Sequence, residues 1–407
     1  MTLSSLAMRA VTVLIVLSQV AAARISPPVL TRSQEDLDNT RPAGVNIISH
    51  DHTFTTNFLG LQLANNSASH RDLGFTGQLG GRWYAVYGDV LWCAPGVTDP
   101  AKDSPGFHGM VRDAISLCTD DPLVVHDLHL DIVGRQQQFI PFHTEWGETG
   151  DFGFGGTSLV EVDSETNVGA VFYLVVKILP GVHLLLAVSI ELTGSCQNGN
   201  KTGYRGAGIA KVQLLDGIPT VTHRFGDRGY WWDADSTARY GDVAAFRDPR
   251  SEYIYAWGGA PMKIKGWVDS SYVYQCRVKA TEAFDLARYE YWWGRQMGWK
   301  SESLTTFTAE TAVMWMSGQG QVVWNDYLGC YVFVRLGPLS NDVLLRTAPL
   351  PEGPWSDDVK VFTATPIGQD GMTYAGVAHP YLDPSGRSMV ISYTNNNNIE
   401  VIKVAFD

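Results

Sequence analysis

From about residue 44 onward the chain alternates short runs of β-branched and aromatic residues with clusters of Gly, Asp, Asn and Pro. Sustained helical periodicity is scarce. Five apolar runs share one pattern: Arg82-Trp-Tyr-Ala-Val-Tyr87, Val171-Phe-Tyr-Leu-Val-Val176, Glu252-Tyr-Ile-Tyr-Ala-Trp257, Cys330-Tyr-Val-Phe-Val-Arg335 and Ser388-Met-Val-Ile-Ser-Tyr393. They read as one buried strand used five times, at intervals of roughly 60 to 90 residues, the spacing of large propeller blades. Turn chemistry precedes several of them: Gly80-Gly81, Asp248-Pro-Arg250, Asn325-Asp326 with Gly329, and Asp383-Pro-Ser-Gly386. The expected fold is all-β, a repeat-built propeller.

The pattern changes at the N-terminus. One basic residue, Arg9, precedes the apolar run Val11 to Leu17, and Ala21-Ala22-Ala23 stand ahead of Arg24, so residues 1–23 read as a secretory signal peptide. Residues 24–43, with Pro27, Pro28 and Pro42 among polar residues, read as an exposed segment, and 44–407 as a single domain without an internal linker. The stretch from Val171 to Ile190 is the nearest rival for a membrane span, but Lys177, Pro180, Gly181 and His183 break it. The expected product is a secreted, extracellular protein with no membrane partner.

Composition narrows the partners. The formal net charge of −12, one unit more negative once Arg9 is removed, argues against nucleic acid, which requires clustered Lys and Arg. It suits a neutral or cationic substrate. Five cysteines (Cys93, Cys118, Cys196, Cys276, Cys330) are an odd number for an oxidising compartment, so at most two disulfides close within the chain, and proximity favours Cys93 with Cys118. Asn65-Asn-Ser and Asn200-Lys-Thr are glycosylation sequons consistent with export. Most of the thirteen tryptophans and seventeen tyrosines are expected to pack blade against blade, and the rest to offer sugar-stacking surfaces.

The most informative chemistry lies in Ser69-His-Arg-Asp72-Leu-Gly74, followed by Arg82-Trp-Tyr-Ala-Val-Tyr-Gly88-Asp89-Val-Leu-Trp92. Asp72 opens one strand and Asp89 closes the next. In a hairpin of this length both ends lie on one side of the sheet, so the two carboxylates can meet at the mouth of a propeller channel. Glycoside hydrolysis uses such a pair: one carboxyl protonates the leaving oxygen, and the other activates water or attacks the anomeric carbon. Asp-Leu-Gly and Gly-Asp are also ordinary strand-terminating turns, and only their pairing favours chemistry.

These motifs, with Tyr272-Val-Tyr-Gln-Cys-Arg277, Tyr289-Glu-Tyr-Trp292, Leu345-Arg-Thr-Ala-Pro349, Gly353-Pro-Trp-Ser356 and Ala378-His-Pro380, resemble the group first catalogued as domain of unknown function 4185, part of which is classed as glycoside hydrolase family 183. The resemblance covers most of residues 60 to 407. It implies a five-bladed β-propeller, endo-acting cleavage of D-arabinan in characterised members, and essential carboxylates at the positions of Asp72 and Asp89. Two departures bear on substrate and activity: Val90 stands where Thr usually follows Gly-Asp, and Phe154-Gly-Gly-Thr157 replaces the Pro-Thr segment expected to open the second blade.

Further candidates are substrate contacts. Glu145 and Glu148 lie in a Gly-rich loop, Asp242 in Tyr240-Gly-Asp-Val243 echoes the sequence around Asp89, Arg112 and Arg277 end polar segments beside strands, and His379 opens the last strand pair. Each has a structural alternative: a solvated loop, an echo of the repeat, an ion pair, or a core imidazole. The chain has no Gly-x-Ser-x-Gly elbow, His-Glu-x-x-His or phosphate loop. No cofactor is expected, no metal site is marked by ligand spacing, and a structural cation in the central channel is compatible with the fold. The reading is a glycosidase acting on a furanosidic, D-arabinan-like polysaccharide or oligosaccharide through Asp72 and Asp89; the alternative is a lectin-like propeller that binds carbohydrate without turnover.

Overall fold

The structure, a computed structural model, describes residues 46–48, 52–64, 69–94, 96–97, 99–103, 108–177, 203–337, 340–368 and 371–407. The signal-peptide and exposed-segment expectations, both sequons, Cys196 and the second half of the stretch from Val171 to Ile190 lie outside these residues. Among the described residues no helix is long and apolar enough to cross a membrane.

The described strands form five sheets, antiparallel except where Leu63–Ala64 pairs parallel with Val124–Asp127. The innermost strands are Ser69–Leu79, Phe152–Asp163, Ala244–Arg247, Gly320–Asn325 and Thr373–Ala378. Each packs against the next and the fifth returns to the first, so they close a ring around a central channel. The chain is a five-bladed β-propeller. The five recurring apolar runs fall in the second strand of each blade: Arg82–Trp92, Val168–Lys177, Tyr253–Gly259, Cys330–Leu336 and Ser388–Asn395. Those strands are covered by a blade on both faces, which explains why they read as continuous apolar runs rather than as an in-out alternation.

The fifth blade closes the circle with chain from both ends. Phe54–Leu61 is its outermost strand and pairs antiparallel with Asn398–Phe406. Hydrophobic packing between blades holds the ring. Val86, Ile115 and Tyr84 meet Leu159, Val171 and Tyr173 across the first interface, while Val332, Val334 and Leu345 meet Ile391, Ile402 and Val404 across the fourth. Each fully buried side chain of this size contributes about 1.5–3 kcal/mol relative to exposure. Near the axis there is no room for side chains at every position. A Cβ on Gly77 would run into the carbonyl oxygen of Leu159, and one on Gly376 into the backbone of Arg335.

All inner strands run the same way, so the channel has an upper end where they begin. Asp72, Asp89 and Tyr374 belong to that end, because the first strand starts there and the second finishes there. Further along, Gln321 Nε2 donates to Thr76 O at 2.9 Å and Thr76 Oγ1 donates to Ala378 O at 2.7 Å, tying the fourth, first and fifth blades. Asp72, Asp89 and Tyr374 therefore lie on the strand-start side of this crossing.

The expected Cys93–Cys118 disulfide is absent, and both are free thiols. The register gives the reason. Leu117 pairs with Tyr84, which places Cys118 level with Trp83, while Cys93 follows Trp92 at the other end of the same strand. Ten strand residues separate the two levels by roughly 30 Å, against the roughly 7 Å between Cα atoms that a disulfide can span.

Candidate active site

Two local distortions build the site. The ladder between Ser69–Leu79 and Arg82–Trp92 shifts register on both sides of Leu73, and Leu73 itself has φ 65°. On the neighbouring inner strand the ladder shifts after Tyr374, and Ala375 has φ 55°. Left-handed backbone is unfavourable for Leu and Ala, and bulges re-aim the side chains beside them. In both strands the residue just before the left-handed one carries the polar group: Asp72 in the first blade and Tyr374 in the fifth. Thr394 Oγ1, fully buried, accepts from Leu73 N at 2.9 Å and helps to hold the first distortion.

The two side chains meet. Tyr374 Oη donates to Asp72 Oδ2 at 2.7 Å, across a blade boundary and 302 residues of chain. Asp89 stands toward the end of the facing strand, where the charge of Asp72 acts on it. Arg112 arrives from the link between the second and third strands, where Val111 pairs with Val90, and its Nη1 lies 3.6 Å from Asp89 Oδ1. That is an ion-pair distance too long for a hydrogen bond. Both carboxyl groups are almost fully buried.

Burial in a poorly hydrated site disfavours charge, and two charges side by side disfavour it further. Burial pushes the Asp72 carboxyl up to about 6, against the opposing pull of the Tyr374 hydroxyl and of the backbone N–H groups of Asp89 and Gly88. Burial and then the charge of Asp72 push Asp89 up to about 8, with Arg112 pulling it down. The two carboxyls therefore compete for protons near neutral pH and titrate as a unit. One acid and one carboxylate side by side are the ingredients of acid–base chemistry on a neutral substrate.

The remaining candidates separate into two groups. Arg112 joins the carboxylates. Asp242 lies at the same channel end, just before the inner strand of the third blade, where Arg239 Nε donates to its Oδ2 at 2.6 Å and Gly259 N to its Oδ1 at 2.9 Å. It thus faces the end of a second strand as Asp72 does. The echo of Tyr87-Gly88-Asp89 in Tyr240-Gly241-Asp242 is not positional, because Asp89 ends a second strand whereas Asp242 precedes a first one.

Glu148, Arg277 and His379 are not brought to the pair. Glu148 follows the short turn Thr144–Trp146 and is spent on Arg224, whose Nη2 donates to Oε1 at 2.8 Å, while its Oε2 accepts from His143 N at 2.8 Å. Glu145, beside it, is exposed and bonded to His143. Arg277 lies toward the far end of its strand, with its guanidinium 4.3 Å from the ring centres of both Tyr253 and Trp299 and its Nε donating to Glu290 Oε2 at 2.8 Å. His379 follows the end of the inner strand that Tyr374 begins, roughly 15 Å along it, and its Nε2 is bonded to Ser392 Oγ at 2.8 Å. Burial drives its pKa down to about 4, so it is a neutral core imidazole.

Sequence reasoning missed Tyr374, which stands in Thr373-Tyr-Ala-Gly376 with no motif around it. It also passed over Asp113, fully buried next to Arg112 and accepting from Ile140 N at 2.7 Å and from the Gln138 amide. Burial pushes the Asp113 carboxyl well above its ordinary range. Gln138 also accepts from Arg112 N at 3.0 Å, so Asp113 and Gln138 fix the backbone that carries Arg112. Among the described residues no group of three or more His, Cys, Asp and Glu side chains is arranged to hold a metal ion.

No curated protein matches the sequence. Among solved structures, the chain is similar to a proposed hydrolase from Bacteroides ovatus ATCC 8483, with a TM-score of 0.51 and 17% identity over 86% of this chain and 87% of that one. An exo-β-1,3-galactanase from Phanerochaete chrysosporium with galactose follows at 0.48 and 10% identity, covering 85% and 64%, and a GH43_1 enzyme from Xanthomonas citri complexed with xylotriose at 0.47 and 12%, covering 91% and 91%. The first of these supports the propeller fold and nothing finer. Residues 221–404, from the last strand of the second blade through the fifth blade and so including Tyr374 but neither Asp72 nor Asp89, match the family model of the domain of unknown function DUF4185, the family that the sequence resembles.

Proposed function

We propose that the chain is a secreted glycoside hydrolase that cleaves a furanosidic polysaccharide of the D-arabinan type. The observation that carries this reading is the buried Asp72–Asp89 pair at the end of the propeller where the inner strands begin, with burial pushing both carboxyls up and the charge of Asp72 pushing Asp89 further. The acidic chain, the signal-peptide pattern and the family resemblance support a neutral glycan substrate met outside the cell.

Asp89 holds a proton and delivers it to the glycosidic oxygen as the bond to the anomeric carbon breaks. Asp72, ionised, supplies the base for water or the nucleophile toward that carbon. Positive charge developing on the sugar ring is stabilised by the adjacent Asp72 carboxylate in a site of low polarity. Arg112 keeps the Asp89 side chain oriented and prevents its acidity from falling too far for proton transfer.

Incubation with a panel of plant, fungal and mycobacterial polysaccharides, D-arabinan included, tests the reading. Wild type releases products and Asp89→Asn does not. Retained glycan binding by both proteins without product from either would instead establish the lectin-like propeller.

A further inference from the structure

The two carboxyl groups are chemically identical, so something outside them must decide which one ionises. Asp72 accepts the Tyr374 hydroxyl from the fifth blade on Oδ2 at 2.7 Å, while its Oδ1 lies buried against the Gly88 backbone of the facing strand. Among the described residues no hydroxyl donates to Asp89; its positive neighbour, Arg112, stands at 3.6 Å. We propose that Tyr374 is a positioning residue that divides the labour between the acids: its hydroxyl, donating to Asp72 Oδ2, keeps Asp72 as the carboxylate and leaves the proton on Asp89. The roles assigned to the two acids under the glycosidase reading rest on this division, but the division itself can be measured without turnover.

The backbone supports a dedicated arrangement. Tyr374 precedes one left-handed residue, Ala375, as Asp72 precedes another, Leu73, and the two distorted inner strands are adjacent in the ring. Strained positions of this kind persist where the surrounding structure over-determines them. The Tyr374 ring packs in the cluster of Leu73, Phe75, Ala375 and Val377, so its hydroxyl is delivered to Asp72 from a fixed direction. The ionisable groups acting on this unit are Asp72, Asp89 and Arg112 from the first blade and Tyr374 from the fifth. Loss of the phenolic donor removes a charge-assisted hydrogen bond from the ionised form of Asp72 alone.

The test is carboxyl titration by 13C NMR on protein labelled at Asp, with Asp72→Asn and Asp89→Asn supplying the assignments. In Tyr374→Phe the Asp72 resonance is expected to titrate about one pH unit or more higher than in wild type. 3-Fluorotyrosine placed at position 374 alone, a stronger donor of the same shape, moves it the other way. The fluorinated protein keeps the ring and the hydroxyl, so it answers the question even where the Phe variant folds poorly. Titration of Asp72 unmoved by either change would overturn the proposal. Absence of glycosidase activity with the expected NMR shifts would leave the positioning role standing and remove only the catalytic reading.

Discussion

Gly88 lies directly against the Asp72 carboxyl: a Cβ built on Gly88 would meet Asp72 Oδ1 well inside van der Waals contact and would press on Leu73 Cδ1 at 3.0 Å. The glycine is what allows the second strand to approach the carboxyl so closely. Gly88→Ala must therefore displace Asp72. Overpacking of this kind costs about 1–3 kcal/mol of stability, whereas a displacement near 1 Å at a reacting group costs on the order of 100-fold in rate. The expected result is a folded protein with a modestly lowered melting temperature and glycan-releasing activity reduced about 100-fold. Activity within a few-fold of wild type would show that the position of Asp72 is not critical.

Arg112 pulls the Asp89 pKa down, opposing burial and the charge of Asp72. The pH dependence of kcat/KM should be bell-shaped, with limbs near pH 6 and pH 8 belonging to the pair as a unit. Arg112→Met removes the cation, so the alkaline limb is expected to move to higher pH. A limb that stays in place, or moves down, would show that Arg112 does not act on the proton donor.

The same shifts link folding to pH. Both carboxyl groups are raised above the value of about 3.9 typical of an unfolded chain, so the folded state binds more protons than the unfolded state between those limits. The pair's contribution to stability is complete below about pH 4 and is lost as pH rises through about 6 and about 8. Denaturant titrations should show Asp89→Asn losing less stability than wild type between pH 5 and pH 9, because the amide stays neutral throughout. Parallel pH dependence in both proteins would contradict the burial of the pair.

Glu148 and Arg224 form a buried bidentate ion pair, and the guanidinium also stacks against Trp146, Phe154 and Tyr173. Glu148→Gln leaves Arg224 charged in the interior without its counter-ion, which costs about 3–5 kcal/mol. Equilibrium unfolding should show that loss while kcat of the folded protein remains close to wild type. A selective rise in KM with unchanged stability would restore Glu148 to the substrate site.

The architecture was legible because each blade repeats one requirement. A second strand covered on both faces must be apolar throughout, so Arg82-Trp-Tyr-Ala-Val-Tyr87 and its four counterparts mark the blades without reference to anything distant in the chain. The hairpin rule likewise brought Asp72 and Asp89 to one end, since strand length and direction alone decide where two neighbouring strands meet. Those are local consequences of period and turn chemistry.

What surrounds the pair was decided by ring closure. Tyr374 is 302 residues from Asp72, and only the packing of the fifth blade against the first joins them. The disulfide expectation failed for a related reason: spacing along the chain makes Cys93 and Cys118 near neighbours, but an extended strand carries them to opposite ends of one sheet. Arg277, Glu148 and His379 carry polar groups that suit a binding site, yet each finds a partner within its own blade or in the loop beside it and is held there. The sequence by itself determined the strands, their repeat and the paired carboxylates, because these depend on contacts between chain neighbours. The tertiary structure decided which polar groups reach those carboxylates and how deeply they are buried, because burial and donor placement arise only when blades distant in sequence share one axis.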